Sequence, residues 1–245
     1  MVLHIYGLLI GLGIWLGIEL AGKVQKQLTT FHKTYQHISL DQLLLWLAIP
    51  AVVGARVYHV IDYWVYYQED LAKILYLWQG GLGIFGAIFG GLLGLLLYLW
   101  YSKQISLFLY SSDILVFALP LAQAVGRLGN FYNQELFGPP STLPWAIFIP
   151  LAKRPVELIN FTHFHPLFAY EALLNLVLLG VLWWQSKYKH KIGFFTAIYF
   201  FGYGLIRFSL EFLRLDPWRL GVLTTGQWMS LVFIASGIVL LWRRR

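Results

Sequence analysis

The sequence predicts an all-α membrane protein, with seven transmembrane helices in a single integral membrane domain over residues 1–245. Composition is the first reason, because 59% of the 245 residues are hydrophobic and only 12% are charged, whereas soluble domains carry about 25% charged residues. Aromatic residues reach 18%, with 11 Trp, which is typical of chains whose rings lie at membrane interfaces. The composition excludes a disordered tail, a coiled coil and a typical cytosolic enzyme.

Apolar runs separated by charged clusters are the second reason, and they set the positions of the helices. A membrane-spanning helix needs about 20 mostly apolar residues. Seven runs come close to this length, at roughly 5–22, 41–60, 80–101, 111–128, 167–186, 193–210 and 226–242. The first run lacks a basic leader and a small-residue cleavage site, so it is predicted as a helix rather than a signal peptide.

The lysines and arginines predict the orientation of these helices. Ten of the 18 follow helices one, three, five and seven, five lie in the opposite connections, and three lie within helices or at their ends. Cytoplasmic loops carry the excess of positive charge, so we expect the N-terminus outside and the C-terminus in the cytoplasm. The net charge of +7 would suggest a nucleic-acid partner only in a soluble protein. In a membrane protein the position of the charges is informative instead, so no nucleic-acid partner is expected.

Glycines in the third helix and the longest connection predict two further features. Gly86, Gly90 and Gly94 recur at every fourth residue, a pattern that favours close helix packing. Residues 129–166 separate helices four and five and contain several prolines and an apolar stretch at 145–149. We expect this connection to form a small outward cap with one short strand, too small to be an independent domain.

Polar side chains gather at the outer ends of the predicted helices. They are Tyr6, Arg56, Arg127, Asn130, His165, Tyr170, Glu171, Tyr203, Arg207 and Glu211. Charged residues at membrane depth are costly and mark a functional site or an internal pairing. Tyr203, Arg207 and Glu211 are spaced by four residues and share one helix face. Two interpretations stay open: an Arg207–Glu211 ion pair that locks two helices, or an arginine that binds a phosphate through its planar guanidinium group.

The densest polar run reads Gly-Arg-Leu-Gly-Asn-Phe-Tyr-Asn-Gln-Glu-Leu-Phe-Gly over residues 126–138 and follows the fourth helix. Gly129 and Gly138 permit close backbone approach or a positive φ. One interpretation is a cradle for a polar head group, and the other is a polar helix cap followed by a turn. So many polar groups in one short run favour the cradle.

This run resembles the signature of the bacterial prolipoprotein diacylglyceryl transferases, Gly-Arg-x-Gly-Asn-Phe-x-Asn-x-Glu-x-x-Gly, at every fixed position. The resemblance extends along most of the chain, through Tyr6-Gly7, Gly54-Ala55-Arg56, Leu143-Pro144-Trp145-Ala146, His165-Pro166, Tyr170-Glu171, Tyr203-Gly204, Arg207-Phe208, Glu211-Phe212 and Gly226-Gln227-Trp228. It implies a seven-helix enzyme of the bacterial inner membrane with its N-terminus outside, in agreement with the orientation predicted from the charges.

The resemblance implies transfer of the diacylglyceryl group of phosphatidylglycerol to the lipobox cysteine of a prolipoprotein signal peptide. A thioether forms, glycerol 1-phosphate leaves, and no cofactor takes part. The implied partners are phosphatidylglycerol, the signal peptide and membrane lipid. The residues implied in catalysis are Arg127, Glu135, Arg207, Glu211, Tyr6 and His165. The residues implied in head-group binding are Arg127, Asn130, Asn133, Gly138, Tyr203 and Arg207.

Each group of these residues has an expected role. Arg127 and Arg207 would bind the phosphate and offset the charge that develops on it as it leaves. Glu135 and Glu211 would orient the arginines or act as acid–base groups, and the asparagines would donate hydrogen bonds to the head group. Tyr6 would bond the phosphate or orient a glycerol hydroxyl group.

Phe85 departs from the family pattern, because many members carry there a histidine that is a candidate base for the thiol. Three explanations stay open for a chain in which Phe85 cannot accept the thiol proton. The base is another residue, with His165 as the nearest candidate, or the field of the arginines favours the thiolate, or the chain is less active. His165 is equally consistent with a structural histidine beside Pro166. A second departure lies at residues 167–169, which read Leu-Phe-Ala. Many relatives have a Ser or Thr followed by Gln in this segment.

Other functional classes fit the sequence less well. A secondary transporter would show repeats and broken helices near the membrane midplane, and the chain has no internal repeat. A membrane protease would need a Gly-x-Ser-x-Gly nucleophile or paired aspartates within the helices, and the sequence has neither. The chain has no Cys and no histidine pair with metal-ligand spacing, so no metal is expected. A non-catalytic relative that binds phosphatidylglycerol or lipoprotein precursors stays open because of Phe85.

Overall fold

Helices account for most of the architecture. The computed structural model describes residues 5–215 and 217–243. Within them the α-helices are α1 (Ile5–Thr29), α2 (Leu40–Asp62), α3 (Trp64–Tyr67), α4 (Ile84–Tyr101), α5 (Phe108–Asn133), α6 (Leu167–Gln185), α7 (Phe194–Glu211) and α8 (Thr225–Trp242). A helix lies at each of the seven predicted positions, and the short α3 is an addition.

Several of these helices have the length and composition of membrane spans, so the chain is a multi-pass membrane protein. In the described part of the chain, five segments qualify: Gly7–Thr29, Leu40–Asp62, Ile105–Asn133, Leu167–Gln185 and Thr225–Trp242. The apolar segment Phe85–Tyr101 is shorter, and α7 contains the charged Arg207 and Glu211. The count of seven spans therefore stays a prediction.

Two helices extend past their predicted ends. α1 continues to Thr29, because the Lys and Gln residues after its apolar run are good helix formers. α5 spans Phe108–Asn133, so the first part of the polar run is helical and does not begin after the helix. Asn130 is buried within α5, and this tertiary environment overrides the weak helix preference of Gly and Asn.

The backbone turns after α5 at residues that the sequence does not single out. Gly129 lies inside the helix and Gly138 has an ordinary φ, whereas Gln134 (φ 54°) and Leu136 (φ 58°) are left-handed. The possibility of a positive φ at either glycine is therefore wrong. Gly138 serves a close approach instead, because an added Cβ would lie 3.1 Å from the Cβ of His165.

Short strands and 3₁₀ segments occur in the connections. Two antiparallel pairs form, β1 (Ile147–Phe148) with β2 (His163–Phe164) and β3 (Arg219–Leu220) with β4 (Leu223–Thr224). β1 lies inside the apolar stretch at 145–149, which confirms the predicted strand. The sequence signal for the second pair is Gly221, whose φ of 68° starts a two-residue hairpin turn. The 3₁₀ segments are Lys33–His37, Leu71–Leu75, Leu77–Gln79, Ile105–Leu107, Leu151–Lys153 and Val156–Leu158.

Backbone contacts divide the chain into two compact units. The first comprises Met1–Lys33 and Ser112–Arg245, and the second comprises Thr34–Ser111. In the first unit, the buried Asp113 accepts a hydrogen bond of 2.6 Å from the backbone N–H of Gly193, and its charge favours the N-terminus of α7. The single domain expected over residues 1–245 stays a prediction.

Close packing of α2 on α4 forms the second unit. A Cβ added to Gly86, Gly90 or Gly94 would run into backbone carbonyl groups of α2. The two helices therefore touch backbone to backbone along successive turns, an approach that only small residues permit. This contact confirms the close packing predicted from the glycine spacing.

Candidate active site

A buried glutamate links three helices of the first unit. The side chain of Glu171 in α6 is 1% exposed, and its Oε1 accepts a hydrogen bond of 2.5 Å from Arg127 of α5. Its Oε2 accepts a hydrogen bond of 3.1 Å from Arg207 of α7. Because each oxygen holds one guanidinium group, Glu171 sets the distance between the two arginines. Both arginines are predicted site residues, and the structure brings them together.

Glu211 holds Arg207 from another direction and connects it to α8. Its Oε2 lies 3.3 Å from Arg207 Nη2 and 3.6 Å from Arg214 Nη1. Its Oε1 accepts a hydrogen bond of 3.0 Å from the hydroxyl group of Thr224, the N-cap of α8. Gly226 leaves room for this carboxylate, because an added Cβ would lie 2.5 Å from both oxygens. The N-terminal end of a helix dipole favours a carboxylate in this position.

The predicted Arg207–Glu211 ion pair is therefore present, but it lies within one helix, and other partners of these two residues make the links to α6 and α8. Both residues belong to α7 and lie four positions apart. Glu171 connects α5, α6 and α7, and the sequence placed this residue in the polar set without a role in the site. Its signal in the sequence was its place beside Tyr170, one turn inside the fifth predicted helix.

Both arginines keep hydrogen-bond donors that the network does not use. A guanidinium group has five N–H donors. Among the described residues, Arg127 donates to Glu171 and Asn130, and Arg207 donates to Glu171 and Glu211. The side chains of the two arginines are 24% and 20% exposed. Arg127 Nε is buried. The remaining Nη donors can reach an anion, which guanidinium groups bind in a planar, bidentate manner.

The asparagines and the glutamate of the polar run bond to one another. Asn130 Oδ1 accepts from Arg127 Nη1 at 2.8 Å, and Asn130 Nδ2 donates to Glu135 Oε1 at 2.9 Å. Asn133 Nδ2 also donates to Glu135 Oε1, at 3.3 Å. Glu135 therefore orients Asn130, and through it Arg127, rather than contacting an arginine itself. These amide groups already have acceptors, and their predicted contacts with a head group stay predictions.

His165 belongs to a second cluster, formed by the connection between α5 and α6 and by the first turn of α6. Its Nδ1 lies 3.1 Å from the hydroxyl oxygen of Tyr170, which also accepts a hydrogen bond of 2.8 Å from Trp145 Nε1. The backbone N–H of Gly138 donates to the carbonyl oxygen of His165 at 2.8 Å. In the described part of the chain, no hydrogen bond joins His165 or Gly138 to either arginine. The structure brings these two predicted residues together, but not into the charged network.

Tyr203 lies one turn from Arg207 on α7 and stacks on Tyr199, with ring centroids 5.5 Å apart and an interplanar angle of 4°. The hydroxyl oxygen of Tyr199 accepts a hydrogen bond of 3.0 Å from Gln123 Nε2. Tyr203 therefore continues the polar face of α7 toward the middle of the helix. The side chain of Tyr6 lies outside the described residues, and its role stays a prediction.

An open cleft of about 320 Å³ adjoins Glu135. It is bordered by the turn after α5, by Lys153 of the connection between α5 and α6, and by Arg214, which follows α7. Because Arg214 also lies 3.6 Å from Glu211, the cleft reaches the edge of the charged network. The two cationic side chains give it a positive rim that suits an anionic group.

Arg56 and Phe85 belong to the second unit. The hydrogen-bond partners of Arg56 differ from those of the two arginines in the first unit. Arg56 is 6% exposed. Its N–H groups donate to the backbone carbonyl oxygens of Lys73, Ile74, Tyr76, Gly80 and Gly81. Phe85 is 52% exposed, and its ring centroid lies 5.8 Å from that of Tyr58. Arg56 is therefore a structural residue that orders the connection between α2 and α4.

Comparison with known proteins identifies the family. The family model for the prolipoprotein diacylglyceryl transferases matches residues 1–243. The chain belongs to the prolipoprotein diacylglyceryl transferase family. Two curated relatives, both named phosphatidylglycerol–prolipoprotein diacylglyceryl transferase, come from Thermosynechococcus vestitus and Synechococcus elongatus. The first is 39% identical over 235 residues, covering 95% of this chain and 85% of the relative. The second is 40% identical over 244 residues, covering 97% and 82%.

Family membership confirms the resemblance that the sequence motifs indicated, and it disfavours a transporter. The roles of single residues stay predictions. The structure places Arg127, Asn130, Glu135, Arg207 and Glu211 in one hydrogen-bonded network. The sequence did not identify Thr224 or Gly226 as part of this network, although Gly226 begins the Gly-Gln-Trp segment of the family.

Proposed function

We propose that the chain transfers the diacylglyceryl group of phosphatidylglycerol to the lipobox cysteine of prolipoprotein signal peptides. The Arg127–Glu171–Arg207 network supports this proposal, because it holds two guanidinium groups at a fixed distance. Each of these groups keeps N–H donors that the network does not use. Two such groups suit the anionic oxygens of a phosphodiester. The relatives named above supply the substrate classes, phosphatidylglycerol and prolipoprotein.

The reaction exchanges one bond for another at a glyceryl carbon. The thiolate sulfur attacks the diacylglyceryl carbon that bears the phosphodiester oxygen. A C–S bond forms, the C–O bond breaks, and glycerol 1-phosphate leaves with the bonding electrons. The leaving phosphate gains negative charge during this step. Arg127 and Arg207 are placed to offset that charge in a site of low dielectric constant, where such stabilisation is large.

Two sources of the thiolate fit the contacts of the described residues. His165 can accept the thiol proton at Nε2 in the tautomer whose Nδ1–H donates to the Tyr170 oxygen. The other source is the positive field of Arg127 and Arg207, which favours the thiolate so that the thiol proton passes to water without a dedicated base. Phe85 takes part in neither, so its presence is compatible with transfer.

All seven long helices cross the membrane in this proposal, with the N-terminus outside and the C-terminus in the cytoplasm of a bacterial cell. The distribution of Lys and Arg supports this orientation. The connection between α5 and α6 then forms a cap on the outer side, above the two arginines. Phosphatidylglycerol would reach the arginines from the outer leaflet of the inner membrane.

Mass spectrometry of a lipobox peptide tests the transfer. The purified protein is incubated with the peptide and phosphatidylglycerol, and the cysteine is examined for a diacylglyceryl mass gain. We expect the gain with the wild-type protein and its loss with Arg127→Ala. Arg243→Ala, which removes an exposed arginine at the end of α8, is the matched control and should keep the gain. Retained transfer by a folded Arg127→Ala variant would remove Arg127 from the mechanism.

A non-catalytic relative is the second candidate, because Phe85 replaces a histidine of many family members. Such a protein would bind phosphatidylglycerol without transferring it. Lipid retained by the wild-type protein, with no mass gain on the peptide, would support this candidate against the transferase. Phe85→His would then be the variant to test for restored transfer.

A further inference from the structure

A lysine without a counter-ion borders the cleft beside the charged network. Lys153, in the connection between α5 and α6, lines this cleft, and among the described residues no carboxylate lies within ion-pair distance of it. The next residue, Arg154, donates from Nε to the carbonyl oxygen of Ile149 at 2.7 Å and from Nη1 to that of Ile159 at 3.1 Å. Two adjacent cations therefore differ in role, because Arg154 orders the backbone of the connection and Lys153 leaves its charge at the cleft.

Strained backbone shapes one wall of the cleft. Among the described residues, three residues other than glycine have a positive φ, and two of them, Gln134 (φ 54°) and Leu136 (φ 58°), border the cleft. The left-handed region is unfavourable for such residues, and strain of this kind is concentrated at functional sites. The backbone N–H of Phe168 in α6 donates to the carbonyl oxygen of Leu136 at 3.1 Å. This contact ties the wall to α6 and maintains the shape of the cleft.

The cleft lies beyond the two arginines, toward the end of α5 and the start of α6. Asn133 borders the cleft and follows Arg127 by six residues on α5. Leu167 also borders it and precedes Glu171 by four residues on α6. At 1.5 Å per residue, these separations are about 9 Å and 6 Å along the helix axes. In the proposed orientation, a group that moves from the arginines to the cleft moves outward.

The balance of charge distinguishes the cleft from the network. The network combines three arginines, Arg127, Arg207 and Arg214, with three glutamates, Glu135, Glu171 and Glu211. A bound phosphodiester adds one negative charge to this neutral set. When the C–O bond breaks, the phosphate keeps the bonding electrons, and the phosphomonoester carries a charge of about −1.5 to −2 at neutral pH. Lys153 adds a cation that no described carboxylate balances, so the cleft favours the monoester over the diester.

Two further side chains of the cleft suit a glycerol phosphate. Arg214 Nη1 lies 3.6 Å from Glu211 Oε2, which is too long for a hydrogen bond, so its donors are available to phosphate oxygens. Glu135 accepts both amide hydrogen bonds at Oε1, so its Oε2 can accept from a hydroxyl group. A phosphate beside Lys153 and Arg214, with a hydroxyl group toward Glu135, would satisfy all three side chains. Inorganic phosphate would meet the same carboxylate without a glycerol hydroxyl group to bond to it.

We infer that this cleft is a release site for glycerol 1-phosphate, and that Lys153 holds the product there after it leaves Arg127 and Arg207. The inference rests on the proposed function, which forms this phosphomonoester. The arginines bind the phosphate while it is part of the lipid, and the cleft takes it up once the additional negative charge has developed. Glycerol 1-phosphate added from solution should therefore occupy the cleft, block the departure of new product and inhibit transfer.

Equilibrium dialysis with labelled glycerol 1-phosphate tests the cleft without requiring transfer. The full-length protein in detergent is compared with its Lys153→Gln and Lys153→Arg variants. We expect Lys153→Gln to weaken binding about tenfold, as the loss of one charged hydrogen bond would give, and Lys153→Arg to keep most of it. Dimethyl phosphate, a diester with a single charge, should bind to the wild-type protein about tenfold more weakly than glycerol 1-phosphate.

Arg219→Gln is the matched control, because Arg219 borders a different cleft, of about 180 Å³, that Arg214 also lines. This variant should bind glycerol 1-phosphate as the wild-type protein does. Unchanged binding in Lys153→Gln, or an equal loss in Arg219→Gln, would overturn the assignment of the product to the cleft at Lys153. Inorganic phosphate that binds as tightly as glycerol 1-phosphate would also overturn it, because the site would then not recognise the glycerol group.

Inhibition of transfer to the lipobox peptide separates this inference from the proposed function. The inhibition constant for glycerol 1-phosphate should rise about tenfold in Lys153→Gln and stay at the wild-type value in Arg219→Gln. Transfer that glycerol 1-phosphate neither binds to nor inhibits would overturn the release site and leave the proposed function standing. Lys153-dependent binding in a protein that shows no transfer would overturn the proposed function and leave a phosphomonoester site standing.

Discussion

Arg56 of the second unit and Arg127 and Arg207 of the first are held by different kinds of acceptor. Arg56 donates to five backbone carbonyl groups, at distances from 2.5 to 3.4 Å. Its five N–H donors are thus all occupied. Arg127 and Arg207 donate mainly to carboxylates and keep free donors in a partly exposed setting. Only the second arrangement leaves an arginine able to bind a ligand.

The two arrangements also differ in what they stabilise. The carbonyl groups around Arg56 come from one connection, between Lys73 and Gly81, so the guanidinium group orders a loop. Glu171 takes one arginine from α5 and one from α7, so its carboxylate positions two cations across three helices. A buried carboxylate between two arginines is costly to desolvate. Its presence is better explained by the orientation of the arginines than by stability, which is the hypothesis that the following variants test.

Replacement of arginine by lysine should separate the two arrangements most strongly. Arg207→Lys keeps the charge but loses the planar fork, so we expect transfer to fall by about 10²–10³-fold with a small change in melting temperature. Arg56→Lys keeps three donors of five, so the free energy of unfolding should fall by about 3 kcal/mol while each folded molecule keeps its turnover. Rates per folded molecule and thermal unfolding in detergent measure both. Equal loss of turnover in the two variants would contradict the distinction.

Glu171→Gln should give the next largest effect, because it tests whether the carboxylate positions the arginines. The amide keeps the shape of the side chain but offers only one acceptor, so one arginine loses its partner. We expect transfer to fall by about 10–100-fold and the free energy of unfolding to fall by about 3 kcal/mol. Glu157→Gln, at an exposed position in the connection between α5 and α6, is the matched control for loss of a carboxylate. Wild-type turnover in Glu171→Gln would show that the bridge is only structural.

The sequence predicts the helices well, because apolar runs and charged clusters report directly on what a membrane accepts. It also identifies Arg127 and Arg207 through their motifs. It does not separate them from Arg56, because hydropathy and spacing place all three at outer helix ends. The difference lies in the acceptors, and these come from residues distant in sequence, such as Glu171 for Arg127, or from the backbone, which has no sequence signature.

The end of α5 shows the same limit at the level of the backbone. Glycines in the polar run favour a turn, yet the helix continues to Asn133 and the left-handed residues are Gln134 and Leu136. A contact distant in sequence accompanies this turn, because the backbone N–H of Phe168 in α6 donates to the carbonyl oxygen of Leu136 at 3.1 Å. Within the turn, Glu135 accepts from the amides of Asn130 and Asn133. Local propensity carries no information about such a contact, so the sequence cannot place the turn.

Two glycines give the smallest expected effects. Gly81 lies against the guanidinium group of Arg56, and Gly226 lies against the carboxylate of Glu211, which holds Arg207. A Cβ on Gly81 (φ 74°) would lie 2.7 Å from Arg56 Nη1, and one on Gly226 would lie 2.5 Å from both oxygens of Glu211. Gly226→Ala should displace the Glu211 carboxylate, free one side of Arg207 and lower transfer by about tenfold. Gly81→Ala should lower the free energy of unfolding by about 1–2 kcal/mol and leave turnover per folded molecule unchanged.

Gly180→Ala is the control for both glycine variants, because an added Cβ on this residue of α6 meets nothing within 4 Å. It should raise the melting temperature slightly through helix propensity and leave transfer unchanged. If the Glu211 carboxylate matters only for packing, Gly226→Ala should lower stability and not turnover, as Gly81→Ala does. A loss of turnover in Gly226→Ala but not in Gly81→Ala would show that transfer depends on where the Glu211 carboxylate lies beside Arg207, and not only on its presence.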